Sequence, residues 1–193
     1  SSDVCSSDLK PTQKKHARVE FKFRDGTSVY FTDQRNFGTL KFVPGRNGLI
    51  NKLKTLGPDM LSEEVDDETF KSCLMKKKKW SLAKALMDQS VVSGVGNYVK
   101  AESLYLAQLS PHRTVDSLED IDFARLNNAV KAVLREAYKR GGATIQTYKN
   151  YDEKEGQYTR RFAVYNHTED PYGNQVVKEK TDDGRTTHWV PSL

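Results

Sequence analysis

From Ala17 the chain alternates apolar and polar side chains: Val19, Phe21 and Phe23 share one face, with Glu20, Lys22 and Arg24 between them. A period of two predicts a half-buried strand. Asp25-Gly26 is a tight-turn pair, and Val29-Tyr30-Phe31 reads as the returning strand. A third strand is predicted over residues 39–43, stopped by Pro44-Gly45. Strands this few and short bury too little to stand alone. Residues 10–57 are therefore expected to be the remnant of a larger N-terminal β-sandwich.

After Gly57-Pro58 the pattern becomes helical. Ser62, followed by Glu63 and Glu64, suits a helix start, and Phe70, Cys73 and Leu74 form its apolar edge. A second helical stretch runs over residues 80–87. Gly94-Val95-Gly96 is a turn, with Asn97 expected as the N-cap of a helix through Leu109. Ser117, Leu118, Glu119 and Asp120 suggest a capping box for a helix that buries Leu126, Val130, Val133, Leu134 and Ala137. Gly141-Gly142 ends it. Strands are then expected over residues 160–165, 176–180 and 185–190, the last two joined by a turn at residues 181–184. The fold class is α+β: a partial sandwich to residue 57, a helical domain over residues 58–150, and a small β-hairpin over residues 151–193.

Composition changes this picture little. The 193 residues carry 31 Lys and Arg against 26 Asp and Glu, a net charge of +5, with 36% hydrophobic and 30% charged residues. This balance permits a polyanionic partner without requiring one. No apolar run reaches the roughly 20 residues of a spanning helix, and no secretory signal is visible, so no membrane partner is expected. Cys5 and Cys73 have neither metal-type nor disulfide-framework spacing, which points to an intracellular compartment and to no metal or other cofactor. Residues 1–9, SSDVCSSDL, match nothing downstream. They read as a non-native tail, with a disordered native tail as the alternative.

Candidate chemistry concentrates in three places. The turn at Gly94 and Gly96, with Asn97 behind it, puts unpaired N–H groups and a helix dipole where an anion can sit. Such a turn also serves simply to join helices. Arg185 follows Asp183-Gly184 at a hairpin tip, where it is either a solvated turn residue or a phosphate contact. Arg35 and Phe37, in residues 32–38 (TDQRNFG), are otherwise ordinary strand-end residues. The four lysines at 76–79 suit a solvated face or a salt-sensitive attraction to a polyanion.

Residues 86–113, LMDQSVVSGVGNYVKAESLYLAQLSPHR, taken with TDQRNFG and with GGATIQTY at 141–148, resemble the formamidopyrimidine-DNA glycosylase and endonuclease VIII family. The stretch matches that family's helix–two-turns–helix motif, and residues 10–193 can be placed on its pattern. The resemblance implies excision of oxidised bases by a glycosylase that is also an abasic-site lyase. Its partner would be double-stranded DNA holding an oxidised base or an abasic site, bound by a monomer wherever the cell keeps its DNA. Asn97, with Gly94 and Gly96, would hold a phosphate near the lesion, and Arg185 would clasp the phosphates beside it. Arg35 and Phe37 would fill the hole left by the flipped nucleotide; the family usually has Pro and Arg where Gln34 and Asn36 stand.

Two departures from the family pattern follow. Many members hold the terminal finger with four cysteines and zinc, but no cysteine follows position 73 here, and Val190 and Leu193 stand at the second cysteine pair. The resemblance is thus to the zincless-finger branch, in which packing of Phe162, Val164, Tyr165, Trp189 and Val190 replaces the metal. The family nucleophile is an N-terminal proline amine in a Pro-Glu-x-Pro-Glu opening. No Pro-Glu pair occurs here, and Pro11 is followed by Thr12. The chain by itself is expected to be inactive and to bind DNA only. A natural lesion-DNA binder without catalysis is the alternative, and an unrelated protein holding ribosomal RNA through similar helices is a third reading.

Overall fold

The computed structural model describes residues 16–33, 36–62, 64–142 and 161–192. Arg35, residues 1–15, residues 143–148 of GGATIQTY, and residue 160 lie outside them. The chain separates into two compact units, one ending at Gly48 and one beginning at Leu49.

In the first unit, strands β1 (Ala17–Lys22) and β2 (Ser28–Thr32) pair antiparallel, with Val19 opposite Phe31 and Phe21 opposite Val29. The Asp25 carboxylate accepts the Thr27 N–H at 2.9 Å and closes the expected turn. The third strand expected over residues 39–43 does not form. Alternation marks residues able to line a sheet face, but a strand also needs a free edge to pair with. Here the Asp33 carboxylate takes the N–H groups of Asn36 (2.8 Å) and Gly38 (2.6 Å), so the chain curls into a loop closed by a side chain. Phe42 still meets Phe21, with ring centroids 6.2 Å apart. Helix α1 (Arg46–Leu53), which the sequence pattern does not predict, follows and buries no side chain.

The second unit carries the core. Helix α2 (Asp67–Met75) starts later than Ser62 suggests: Asp66 is the N-cap and accepts from the Thr69 N–H at 2.8 Å. Helix α3 (Leu82–Met87) is capped by Ser81. Helix α4 (Asn97–Leu106) follows the glycine turn, and a 3₁₀ turn (Val115–Ser117) precedes α5 (Asp120–Lys139). The cap of α5 is Glu119, two residues past Ser117, with Asp122 accepting the Glu119 N–H at 3.2 Å. The capping box lies later than expected because Ser117 is consumed by the 3₁₀ turn. Leu126, Val130, Val133, Leu134 and Ala137 are buried as expected, against Phe70, Leu74, Leu86, Val99 and Leu104. Gly142 donates to the Ala137 carbonyl and Gly141 to that of Tyr138, closing the C-terminus. Among the described residues no helix is long and apolar enough to cross a membrane.

Strands β3 (Val177–Lys180) and β4 (Thr186–Trp189) form the terminal hairpin. Residues 161–165 are turns and bends, not the expected strand. Their amides are claimed by a carboxylate on α4, described below, which leaves no ladder for them to join. The mixture of helices with small antiparallel hairpins is α+β.

Candidate nucleic-acid interface

Helix α4 is the element on which the site is built. Its residues from Val99 to Leu104 are all buried, Lys100, Glu102 and Ser103 among them. A helix buried on nearly all sides can hold charge only where the charge is paired. Both ionisable residues are paired with the terminal hairpin region.

Glu102 accepts three backbone N–H groups in succession, from Ala163 (2.8 Å), Val164 (3.0 Å) and Tyr165 (2.8 Å). Lys100 Nζ lies 2.6 Å from Asp183 Oδ2, with both side chains sealed from solvent. Burial pushes the Lys100 ammonium below its usual value, with the Asp183 hydrogen bond opposing and the Arg185 charge reinforcing the drop. Burial acts to raise the Asp183 carboxyl, but hydrogen bonds from Lys100 and Thr181 outweigh it and hold it below the usual carboxylate range. Tyr105 donates to Asp170 at 3.1 Å, and its phenol is pushed up to about 12, first by burial and then by that bond. Ala101 packs with Val164, Val176 and Val190 in a small apolar cluster, and Tyr98, Phe162 and Tyr165 stack beside it. Trp189 instead donates to Glu179 and meets the His112 ring edge-on. Among the described residues there is no group of three His, Cys, Asp or Glu that would suit a metal ion.

The glycine turn ahead of α4 is stapled by Gln89, whose Oε1 accepts the Gly94 N–H (3.0 Å) and whose Nε2 donates to the Val95 carbonyl (2.9 Å). The left-handed backbone that favours glycine belongs to Gly94, at φ +89; Gly96 sits at φ −108, and a Cβ there would meet nothing within 4 Å. Gly96, not Asn97, is the N-cap, and Asn97 is the first helical residue. Its side chain reaches across the chain, with Nδ2 donating to the Thr186 carbonyl at 2.9 Å, while Oδ1, the atom that a cap would use, is buried and takes no hydrogen bond from a first-turn N–H. The N–H groups of the first turn are left without intrahelical acceptors.

Arg185 stands exposed at the hairpin tip, one residue before that Thr186 carbonyl. Gly184, at φ +76, makes the turn, and the Thr181 N–H donates back to the Arg185 carbonyl at 3.0 Å. Ser81, the cap of α3, also donates to Asp182 in the same turn. Gly94, Gly96, Asn97 and Arg185 are thus brought together within one unit. Phe37 is in the other unit, 76% exposed, on the loop organised by Asp33. The lysine run is only partly a free surface: Lys77 and Lys84 lie over the Trp80 ring at 4.6 and 4.4 Å, and Lys79 pairs with Asp116 at 2.7 Å.

Gln89, Lys100, Glu102 and Asp183 are not among the residues that the sequence singles out. A signal exists for two of them, since a lysine and a glutamate lie inside a helix whose other side chains are mostly apolar or small.

Known proteins resemble this chain in sequence and in fold. The formamidopyrimidine-DNA glycosylase H2TH domain matches residues 56–149, and the formamidopyrimidine-DNA glycosylase C-terminal domain matches residues 151–193. The formamidopyrimidine-DNA glycosylase of Listeria monocytogenes serotype 4b (strain F2365) is 35% identical over 189 residues, 96% of this chain and 68% of that protein. The crystal structure of the MutM (Fpg) protein from Thermus thermophilus superposes with a TM-score of 0.81 at 33% identity, covering 95% of this chain and 69% of that one. Lactococcus lactis Fpg in complex with DNA containing an abasic site gives a TM-score of 0.79 at 30% identity, over 92% of this chain and 65% of that one. The chain spans about two thirds of the length of the relatives it matches. With two domain matches running from residue 56 to the C-terminus and a third of positions identical across nearly its whole length, the chain belongs to the formamidopyrimidine-DNA glycosylase family.

Proposed function

We propose that this chain is the DNA-holding part of a base-excision-repair glycosylase that removes oxidised bases and cuts at the resulting abasic site. The observation that carries the reading is the hydrogen bond from Asn97 to the Thr186 carbonyl. It ties the first turn of α4 to the strand one residue past Arg185, which supports a shared role for the two. Amide groups, a helix dipole, the second Asn97 amide N–H and a guanidinium then converge on one stretch of sugar–phosphate chain. One relative, Lactococcus lactis Fpg, was solved with DNA containing an abasic site and, as a mutant, with DNA containing Fapy-dG, which supports a damaged duplex as the partner. Arg35 and Phe37 belong to the same reading as residues that occupy the space of the flipped nucleotide. The organisation that goes with it is a sandwich part to residue 57, a helical DNA-binding part over 58–150, and a metal-free finger over 151–193. The protein works as a monomer inside the cell.

In the family chemistry an amine attacks the sugar C1′, the damaged base departs, and the resulting iminium permits elimination of the neighbouring phosphate. The 193-residue polypeptide has no Pro-Glu pair to supply that amine, so by itself it binds without cutting. The test uses a duplex with a stable tetrahydrofuran abasic analogue. Binding measured by fluorescence anisotropy should weaken about tenfold in Arg185→Ala and in Asn97→Ala, with a shallower salt dependence in Arg185→Ala. Wild-type affinity in both variants would refute the interface. A borohydride-trapped adduct between this polypeptide and a natural abasic site would refute the binding-only assignment.

A further inference from the structure

We propose that the buried Lys100–Asp183 ion pair is a positioning device that aims Arg185 at the phosphates held by the N-terminus of α4. The proposal rests on the DNA-holding reading above and deepens it.

A sealed ion pair is a poor way to add stability, because desolvating both charges offsets most of their attraction, and apolar side chains of similar volume serve as well. It supplies direction instead. Lys100 lies one helical turn beyond Asn97, so its ammonium is fixed by the same helix that presents the first-turn amides. That ammonium holds Asp183 Oδ2 at 2.6 Å. The other carboxylate oxygen accepts from Thr181 Oγ1 (2.5 Å) and from the Arg185 N–H (3.2 Å), gripping the turn on both sides of its tip. With its one proton given to Asp183, Thr181 Oγ1 accepts from Thr187 Oγ1 (2.7 Å), and the Thr181 N–H donates to the Arg185 carbonyl (3.0 Å). The backbone of Arg185 is therefore held at its N–H by the carboxylate that Lys100 orients and at its carbonyl by Thr181, whose hydroxyl the same carboxylate engages, while its side chain is left exposed.

Charge balance gives the pair a second effect. Asp183 satisfies Lys100, so its carboxylate does not need the Arg185 guanidinium as a counter-ion. Without Lys100, the buried Asp183 carboxylate would lack its counter-ion and would draw the Arg185 guanidinium, whose charge already acts on Lys100, away from DNA. Lys100 thus acts on DNA through Arg185 rather than by touching it.

The experiment is a double-mutant cycle on the full chain, read as affinity for the tetrahydrofuran duplex across a salt series. Lys100→Met is expected to weaken binding about tenfold and to lower the slope of log affinity against log salt by about 0.9, the value of one phosphate contact. Arg185→Ala should do the same, and adding it to Lys100→Met should cost nothing further. Lys100→Met/Asp183→Asn, neutral on both sides, should recover the salt slope, because no carboxylate then competes for Arg185, a readout that a purely structural role would not move. Additive losses, or no recovery in the neutral pair, would overturn the proposal. Circular dichroism checks folding. If Lys100→Met is unfolded, Asp183→Asn and the neutral pair carry the same cycle, and if none of the three folds the pair is a requirement of the fold and the proposal is wrong. Should Arg185→Ala leave the salt slope unchanged, the DNA-holding reading fails first and this inference falls with it.

Discussion

Two antiparallel hairpins sit near opposite ends of the described chain, and they are stabilised in different ways. Both are short, with strands of six and five residues in the first and four and four in the second, and both turn through an Asp-Gly pair. The β1–β2 hairpin contains no buried residue, and Phe23 and Val29 are half exposed. The β3–β4 hairpin buries Thr187 and His188 completely or nearly so, with Val190 just beyond it, although its strands are shorter and more polar. Strand pairing alone leaves a two-stranded ribbon marginal. What separates the two is a buried helix that reaches into the second with paired charges.

The comparison breaks most severely at Glu102. Glu102→Ala leaves the buried Val164 N–H and the partly buried N–H groups of Ala163 and Tyr165 without their acceptor. The expected loss is about 3–5 kcal/mol in urea unfolding, with faster amide exchange at those three residues and no change in β1–β2. A loss under about 1 kcal/mol would mean that apolar packing alone holds the region. Val164→Ala asks the converse question in the same place. It removes two methyl groups from the cluster with Ala101, Val176 and Val190, for an expected loss of about 2 kcal/mol. A larger effect there than at Glu102 would reverse the ranking of polar and apolar anchors.

Acid should separate the hairpins without any mutation. Burial holds the His188 imidazole below its usual value, reinforced by the positive charges of Lys178, Lys100 and His167. The unfolded chain therefore takes up this proton at a higher pH than the folded one. Stability is fully present above about pH 6.5 and falls as pH drops below it, with a limiting slope of about 1.4 kcal/mol per pH unit. The Asp170 and Asp183 carboxyls are also held low, with burial opposing and hydrogen bonds prevailing, and Glu179 is held low chiefly by its bond to His112. Their contribution is present above the ordinary carboxylate range near pH 4 and is lost below it. Two acid steps are expected from the second hairpin in denaturation midpoints taken across pH. His188→Asn should remove the first and spare the second. In the first unit the resolved shifts among described residues belong to Glu20 and Asp25, both carboxyls, so β1–β2 should stay flat through pH 6.

Legibility in the sequence follows the same divide between periodic and non-periodic signals. The stripe of α5 and the β3–β4 pairing are readable because burial there repeats every 3.6 or two residues and a glycine or Asp-Gly pair marks each end. The third strand is misread because alternation over 39–43 cannot report the loop that Asp33 closes just ahead of it at Asn36 and Gly38, and the strand over 160–165 because Glu102 has taken the amides of residues 163–165. Asn97 is visible as a cap and, through the resemblance, as a phosphate contact, but its bond to Thr186, 89 residues away, is not. Lys100 and Asp183 are separated by 83 residues, and nothing in either neighbourhood marks them as a pair. Helix α1 carries Leu49, Ile50 and Leu53 on an exposed stripe and escapes notice because it lies behind Pro44-Gly45, in a segment assigned to the sandwich.

The smallest expected effect is at Phe42, which tests whether the first hairpin has any anchor of its own. Its ring is 77% exposed and tilted 58° to that of Phe21 at 6.2 Å. An aromatic pair in that geometry is worth about 0.5–1.5 kcal/mol where water is excluded, and less on an open surface. Phe42→Ala should therefore shift the unfolding midpoint by no more than about 0.5 kcal/mol, with faster exchange confined to β1–β2 amides. A cost above about 1.5 kcal/mol would show that Phe42 closes a small core over Phe21. The first hairpin would then be anchored by an aromatic lid as the second is by paired charges, and the contrast between them would be one of chemistry and not of degree.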